Sequence, residues 1–364
     1  MTPNVIRNFI DGAFRAAESG ATFEKISPVD GRPLSVVARS AAADVQAAVA
    51  AARRAFPAWS ATPGVQRGLV LHRLVRLMQD RQADIAAVVS AETGKSRKDA
   101  AGEAGGAAAL GLFFASEGQR MYGRTTTSGV AGRRALTIRQ PIGVAGLIVP
   151  ANTPIANVAW KAFPALVCGN TVVLKSAEDT PHTAGLFAEL AQEAGLPAGV
   201  LNVVHGLGRE AGAALVDHPD VGVISFTGST AVGREIQQTA GARLARVSLE
   251  LGGKNPNVVF ADADIDQAAF WSSLGAFGNT GQICVCGSRI LVQRPVYDEF
   301  VGRLWAAAEG FTVGDPLDPD TQLGPVIAAS HAAKVWEYIE VGRSEGRIVT
   351  GGTPYSDPFR AAGA

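Results

Sequence analysis

Cysteine and histidine are scarce in this chain of 364 residues, which contains three cysteines and five histidines. The cysteines Cys168, Cys284 and Cys286 show no CxxC spacing, and the histidines show no HxxxH spacing. A structural zinc site needs four such ligands. The sequence therefore predicts no metal site.

An excess of one charge is also missing, because Lys plus Arg and Asp plus Glu number 33 each. Without a net field, the composition gives no reason to expect nucleic acid or an anionic membrane as a partner. The most apolar region, 141–174, is interrupted by Pro150, Pro154 and Pro164, whereas a membrane-spanning helix needs about 20 largely apolar residues. The N-terminus lacks the features of a signal peptide. We expect a cytoplasmic protein with reduced thiols.

Short β-rich runs alternate with helix-like stretches in the middle of the chain. The runs are 142–149, 171–175, 200–205, 221–226 and 257–260. This alternation predicts right-handed crossovers and a parallel sheet covered on both faces, with functional sites at the carboxyl ends of the strands. The stretches 42–56 and 65–90 predict helices, and 127–140 predicts a projecting β-hairpin. The predicted fold class is α/β.

The segment GNTGQICVCGSR (278–289) holds two cysteines separated by one residue. Free cysteines are among the most buried residues, so two inert packed thiols are one interpretation. The small residues directly before Cys284 would let a substrate approach the thiol closely. Cys284 is therefore the candidate nucleophile, and Cys286 is expected to serve packing. A nucleophilic thiol must become a thiolate, which requires a base or an electropositive environment nearby.

Glu250 is the candidate base, because the histidines offer no obvious partner for the thiol. It lies in VSLELGGKNP (247–256), where apolar and polar residues alternate as in a strand with one solvated face. A carboxylate in water on that face is the simpler interpretation. The glycine pair that follows allows a ligand to come close and favours a functional role.

Two further segments follow predicted strands. FTGSTAVG (226–233) places Ser229 between a strand and a helix, where it can cap the helix and where free N–H groups suit a dinucleotide phosphate. VPANTP (149–154) offers the amide of Asn152, although an asparagine beside prolines also suits a plain turn. ETGKS (92–96) lacks the first glycine of a P-loop, and GLGREAG (206–212) has the wrong spacing for a dinucleotide fingerprint.

Taken together, these segments resemble the NAD(P)-dependent aldehyde dehydrogenase superfamily. The matching motifs are PxN (150–152), KSAE (175–178), FTGSTxxG (226–233), LELGGK (249–254) and FGNTGQxC (277–284). The resemblance implies that Cys284 attacks the aldehyde carbonyl, that Asn152 holds the oxyanion, and that Glu250 activates the water that hydrolyses the thioester. It leads us to expect that Glu250 is buried near the cofactor and has a raised pKa.

The resemblance also implies a cofactor site and a substrate entrance. Glu178 would accept from the ribose 2′-hydroxyl and repel a 2′-phosphate, which favours NAD over NADP. The expected cofactor-binding residues are Lys175, Glu178, Gly228, Ser229, Gly233 and Leu251. The expected pocket residues are Thr153, Asn157, Trp160, Gly278, Ile283 and Val285, which mix polar and apolar types and suit a medium-sized or moderately polar aldehyde.

The fold implied by the resemblance has three parts. A Rossmann-like cofactor domain would comprise 1–121 and 142–251, an oligomerisation hairpin 122–141, and a catalytic α/β domain 252–364. The sequence stops before the ExFGPV motif of the family, so we expect this member to be truncated and its catalytic domain incomplete. A complete fold would form a homodimer or homotetramer. CoA-acylating oxidation and an inactive fragment that only binds nucleotide are the alternative functions.

Overall fold

A computed structural model describes residues 4–353 as strands and helices in mixed order. The strands are β1 (Asn4–Ile6), β2 (Asn8–Ile10), β3 (Ala13–Arg15), β4 (Thr22–Ile26), β5 (Pro33–Ala38), β6 (Thr125–Thr127), β7 (Arg134–Leu136), β8 (Val144–Ile148), β9 (Thr171–Lys175), β10 (Leu201–Val204), β11 (Val221–Gly228), β12 (Arg246–Leu251), β13 (Pro256–Val259) and β14 (Arg289–Val292). The helices are α1 (Ala42–Ala61), α2 (Gly64–Asp80), α3 (Gln82–Thr93), α4 (Arg97–Glu117), α5 (Pro154–Val167), α6 (Pro181–Glu193), α7 (Ala213–Asp217), α8 (Thr230–Ala242), α9 (Ile265–Phe277), α10 (Tyr297–Glu309) and α11 (Ala329–Glu345).

A seven-stranded sheet forms the centre of the described fold, in the order β12-β11-β8-β9-β10-β2-β3. The five strands from β12 to β10 are parallel, as their helical connections require. The N-terminal strands β2 and β3 add an antiparallel edge, which the sequence patterns had not indicated. The predicted α/β class is confirmed.

Helices cover both faces of this sheet, because alternate strand residues point to opposite sides. In β8, Ala145 and Leu147 pack into the core formed with α2 to α6. Val144 and Ile148 pack into the second core, formed with α1, α7 and α8. A strand buried on both faces is expected to be continuously apolar, and every residue of β8 is buried.

Smaller sheets surround this core. β5 pairs with β1 and β4, and the predicted hairpin is present as the exposed antiparallel pair β6 and β7. The C-terminal part contains the parallel pair β13 and β14 with helices α9 to α11. No helix among residues 4–353 is both long and apolar enough to cross a membrane. The three-domain division stays a prediction, and its last residues, 354–364, lie outside the described part of the chain.

Glu92, at the end of α3, is a buried carboxylate that holds the start of α6. It accepts hydrogen bonds from the backbone N–H groups of His182 and Thr183, at 2.7 and 2.9 Å, and from the Thr183 hydroxyl at 2.6 Å. Burial raises the pKa of Glu92 from 4.5 to about 7, although these hydrogen bonds oppose the shift. The carboxylate therefore joins two helices of the larger core.

The raised pKa of Glu92 predicts a pH-dependent stability. Between pH 4.5 and about 7 the folded chain holds a proton on Glu92 that the unfolded chain has released, so the contribution of this group to stability is full below 4.5 and is lost as the pH rises through about 7. Glu92→Gln cannot titrate. We expect the urea midpoint of the wild type to fall relative to that of Glu92→Gln across this window, and parallel profiles would contradict the assignment.

Candidate functional site

The candidate residues gather at the carboxyl ends of four adjacent parallel strands. β12, β11, β8 and β9 are neighbours in the sheet, and they end at Leu251, Gly228, Ile148 and Lys175. Asn152 follows β8 by four residues, and Ser229 directly follows β11. This edge is where parallel sheets place their ligands.

The loop that carries Cys284 has an unusual backbone. Asn279 and Thr280 have φ angles of 52° and 58°, in the left-handed region that non-glycine residues rarely occupy. The Thr280 hydroxyl donates to the carbonyl of Gly324 at 3.2 Å, and the Gln282 side-chain oxygen accepts from Ile327 N–H at 3.1 Å. A segment about 40 residues further along the chain therefore supports this loop.

Asn152 reaches the cysteine loop directly. Its Nδ2 donates to the carbonyl oxygen of Gln282 at 2.6 Å. The side chain of Asn279 donates to the carbonyl of Asn152 at 3.3 Å, so the two loops are joined in both directions. The amide predicted to hold the oxyanion thus contacts Gln282, which precedes the predicted nucleophile by two residues in the sequence.

The two neighbouring cysteines have different environments. Cys284 is exposed, whereas Cys286 is buried with its Sγ 3.7 Å from the carbonyl of Gly281. Asn255 fixes the chain between them, because its Nδ2 donates to the carbonyls of Cys284 and Cys286 at 2.8 and 3.1 Å. The sequence analysis missed Asn255, which lies immediately after the LELGGK motif.

Glu250 lies on β12, the outer strand of the main sheet, opposite Thr227 of β11. Its side chain is exposed among the described residues. The expectation that Glu250 is buried is therefore wrong for this structure, because every second residue of the outer strand β12, Glu250 included, points to an exposed face.

Lys161 is a cation beside Glu250 that the sequence analysis missed. It lies buried on α5, with Nζ donating to the Ser225 hydroxyl of β11 at 2.8 Å. Burial lowers the pKa of Lys161 from 10.5 to about 8, and the negative charge of Glu250 opposes that shift. A lysine inside the apolar run PIANVAWKAFPALV was the available signal, since a buried lysine needs a reason.

Lys175 and Glu178 form the next polar pair along the edge. Lys175 is buried at the end of β9, and its Nζ lies 3.1 Å from the carboxylate of Glu178. Burial lowers the pKa of Lys175, and Glu178 opposes this effect. Glu178 also accepts from the backbone N–H of Gly208 at 2.5 Å, so the GLGREAG turn contributes to this corner of the site.

Ser229 caps α8, because its hydroxyl accepts from the N–H of Val232 at 3.3 Å. The start of α8 is also the positive end of the helix dipole, which favours an anion. Gly233 allows α8 to approach β12, since a Cβ there would lie 2.6 Å from a methyl of Leu251. At Gly228, a Cβ would lie 2.4 Å from the ring of Phe226.

The predicted pocket residues lie around the same loops. The Asn157 amide donates to the backbone and hydroxyl oxygens of Thr153, which fixes both residues in the first turn of α5. Trp160 and Val285 are 58% and 73% exposed. Ile283 is half-buried next to Cys284, and Gly278 begins the cysteine loop. The Phe114 ring packs edge-on against Trp160, an aromatic neighbour that the sequence analysis missed.

Comparisons with known proteins show what this chain is similar to. The model of the aldehyde dehydrogenase family matches residues 14–363. An aldehyde dehydrogenase of Aspergillus niger is 43% identical, with 96% of this chain and 72% of the relative covered. The NADP/NAD-dependent aldehyde dehydrogenase PuuC of Escherichia coli is 40% identical, with 95% and 71% covered. The crystal structure of an NAD-dependent aldehyde dehydrogenase from Sinorhizobium meliloti has a TM-score of 0.95 at 38% identity, with 97% and 71% covered.

Proposed function

Since the chain belongs to the aldehyde dehydrogenase family, we propose that it oxidises an aldehyde to a carboxylic acid with NAD as the hydride acceptor. Cys284 is the nucleophile, Asn152 holds the oxyanion and Glu250 activates water. The observation that carries this assignment is the contact between the Asn152 amide and the carbonyl of Gln282, which lies two residues before the thiol.

The first step uses the exposed thiol. The Cys284 thiolate forms a bond from sulfur to the aldehyde carbon, and the carbonyl oxygen becomes an alkoxide. The Asn152 amide and the backbone N–H of Cys284 donate to that oxygen, which places fixed dipoles where charge develops. Bound NAD would supply the acceptor for the hydride of this carbon, whose loss leaves a thioester on Cys284.

The second step regenerates the thiol. Glu250 takes a proton from water, the resulting hydroxide attacks the thioester carbonyl, and the carbon–sulfur bond breaks to release the acid. Lys161 lies beside this carboxylate and places a positive charge next to it. Lys161 also donates a hydrogen bond to the Ser225 hydroxyl on β11, and this bond holds its positive charge in place relative to the strand.

The dinucleotide would bind at the same edge of the sheet. Lys175 and Glu178 would contact the adenosine ribose, and the N-terminus of α8 at Ser229 would receive the pyrophosphate. The close packing of Gly233 on Leu251, with Gly228 at the end of β11, supports a tight approach of helix and strand at this position. The α8 dipole favours the negative charge of the pyrophosphate.

Glu178 is expected to set the preference for NAD over NADP. Its carboxylate would accept from a ribose 2′-hydroxyl and repel a 2′-phosphate. Glu178→Gln removes the charge and keeps an oxygen for Gly208 N–H. We expect the ratio of kcat/KM for NAD to that for NADP to fall by about tenfold, or about 1.4 kcal/mol.

The matched control for this prediction is Glu193→Gln. This exposed carboxylate is the last residue of α6 and lies away from the strand ends. The control should keep the wild-type ratio. An unchanged ratio in Glu178→Gln would show that another group selects the cofactor.

The same proposal covers the aldehyde and the assembly. Thr153, Asn157, Trp160, Ile283 and Val285 would line the entrance and favour a medium-sized or moderately polar aldehyde. The exposed hairpin strands β6 and β7 support a homodimer or homotetramer formed through residues 122–141. The cytoplasmic location stays a prediction.

The direct test mixes the purified chain with NAD and a panel of aldehydes, and follows NADH absorbance. Product analysis with and without CoA separates the outcomes. A carboxylic acid without CoA supports the proposal, and an acyl-CoA formed only with CoA supports the acylating alternative. A folded chain that binds NAD without turnover would be the inactive nucleotide-binding fragment.

A further inference from the structure

A buried ion pair lies behind the candidate site. Lys95 comes from the loop between α3 and α4, and Glu103 from α4, and their side chains are only 4% and 5% exposed. The proposed chemistry uses neither residue. A buried ion pair is poor evidence of a stabilising role by itself, because the desolvation of both charges offsets their attraction.

The side chain of each member of the pair also hydrogen-bonds the backbone of the same short segment. Lys95 Nζ donates to the carbonyl oxygen of Asn152 at 2.8 Å. The carboxylate of Glu103 accepts from the backbone N–H of Ala156 at 3.2 Å, in the first turn of α5. The pair therefore holds both ends of the segment 152–156.

We propose that Lys95 and Glu103 are positioning residues that fix the backbone of Asn152, so that its amide points at the oxyanion formed from the aldehyde. The inference rests on the proposed function, because it gives the pair a role in the reaction. Neither residue touches the reacting atoms. Both act through Asn152.

The contacts of Asn152 explain why this support matters. Its carbonyl oxygen accepts from Lys95 at 2.8 Å and from the Asn279 side chain at 3.3 Å. Without Lys95, this carbonyl would keep only the longer contact among residues 4–353. An oxyanion donor stabilises the transition state only when its position is fixed in advance, and a site that is about 1 Å too loose loses much of its rate.

The loop that carries Lys95 is itself held from two sides. The Ser90 hydroxyl donates to the carbonyl of Lys95 at 2.8 Å. Gly94 and Gly324 approach so closely that a Cβ at Gly324 would lie 1.8 Å from the carbonyl oxygen of Gly94. Gly324 also accepts from Thr280 of the cysteine loop. One segment therefore contacts both the Lys95 loop and the Cys284 loop.

The experiment compares four chains in the NADH assay: wild type, Lys95→Met, Asn152→Ala and the double variant. Complete loss of one oxyanion donor costs about 10²–10³ in kcat. Because Lys95→Met misplaces this donor without removing it, we expect kcat to fall by at least about tenfold. KM for NAD should stay unchanged. In the Asn152→Ala background, Lys95→Met should cause no further loss, because residues that act through one group are not additive.

Two controls separate positioning from general damage. Arg243→Met removes another cation that donates to backbone carbonyls, those of Val216 and Val221, at the opposite end of β11. It should leave kcat close to wild type. Iodoacetamide should alkylate Cys284 at the wild-type rate in Lys95→Met, since alkylation needs no oxyanion donor.

A second variant keeps the test decisive if Lys95→Met fails to fold because it leaves Glu103 unpaired. Lys95→Met with Glu103→Leu removes both buried charges and should fold, yet still lose kcat. Wild-type kcat in either variant, or a full further loss on top of Asn152→Ala, would overturn the inference. A wild-type chain that folds and binds NAD but produces no NADH would instead overturn the proposed function.

Discussion

Cys284→Ala should lower NADH production by about 10⁴-fold or more, because the variant lacks the sulfur that forms the proposed covalent intermediate. The exposed thiol stands at the end of a loop that Asn152 contacts through Gln282. NADH absorbance with a reactive aldehyde measures the loss. Circular dichroism and NAD binding should stay unchanged, since the side chain is exposed.

Cys286→Ala is the matched control, two residues away on the same loop. Its thiol is buried against the Gly281 carbonyl, so the substitution removes only packing and should change the rate by less than about threefold. Mass spectrometry after brief iodoacetamide treatment should find the label on Cys284 and not on Cys286. An active Cys284→Ala beside an inactive Cys286→Ala would move the nucleophile to the buried position.

Glu250→Gln should separate the two halves of the reaction. The carboxylate is required to deprotonate water, and the loss of a general base costs about 10²–10⁴ in rate. Hydride transfer does not need it. We expect a burst of about one NADH per chain followed by a slow steady rate, and acylated Cys284 in the mass spectrum of the quenched enzyme.

Glu235→Gln provides the comparison for this variant. Glu235 is an exposed carboxylate on α8, one turn and more beyond the predicted pyrophosphate contact at Ser229. It should show wild-type steady-state turnover without a burst. Unchanged turnover in Glu250→Gln would remove Glu250 from the mechanism. Turnover that depends on CoA in both wild type and Glu250→Gln would favour the acylating alternative.

Glu250 is exposed, so its charged neighbours matter more than burial for its role as a base. In the described structure the carboxylate stands at an outer strand, and the nearby cation is the buried Lys161. Glu250 opposes the effect of burial on the pKa of Lys161, which is about 8, so Lys161 loses its positive charge in the mildly alkaline range.

Local sequence patterns determined the elements of the parallel sheet and the chemistry at their ends. The run 171–175 is a strand because β-branched and apolar residues suit a position buried on both faces, and every residue of β9 is buried. Glycines before Cys284 and after Glu250 indicated places where a ligand can approach, because glycine has no side chain to block the backbone. These features are local and can be read along the chain.

Contacts between distant segments decided the rest, because periodicity says nothing about which elements meet. The N-terminal strand β2 joins the sheet by pairing with β10, about 190 residues away in sequence, and β3 pairs with β2. The exposure of Glu250 follows from β12 being an outer strand. The contacts of Lys161 with Ser225 and of Lys95 with Asn152 depend on how α5 and the α3–α4 loop pack behind the site. The sequence by itself specified which side chains can react. The tertiary structure decided which distant segments hold those side chains in position, because a hydrogen bond such as that from Asn152 to Gln282 forms only when the chain folds.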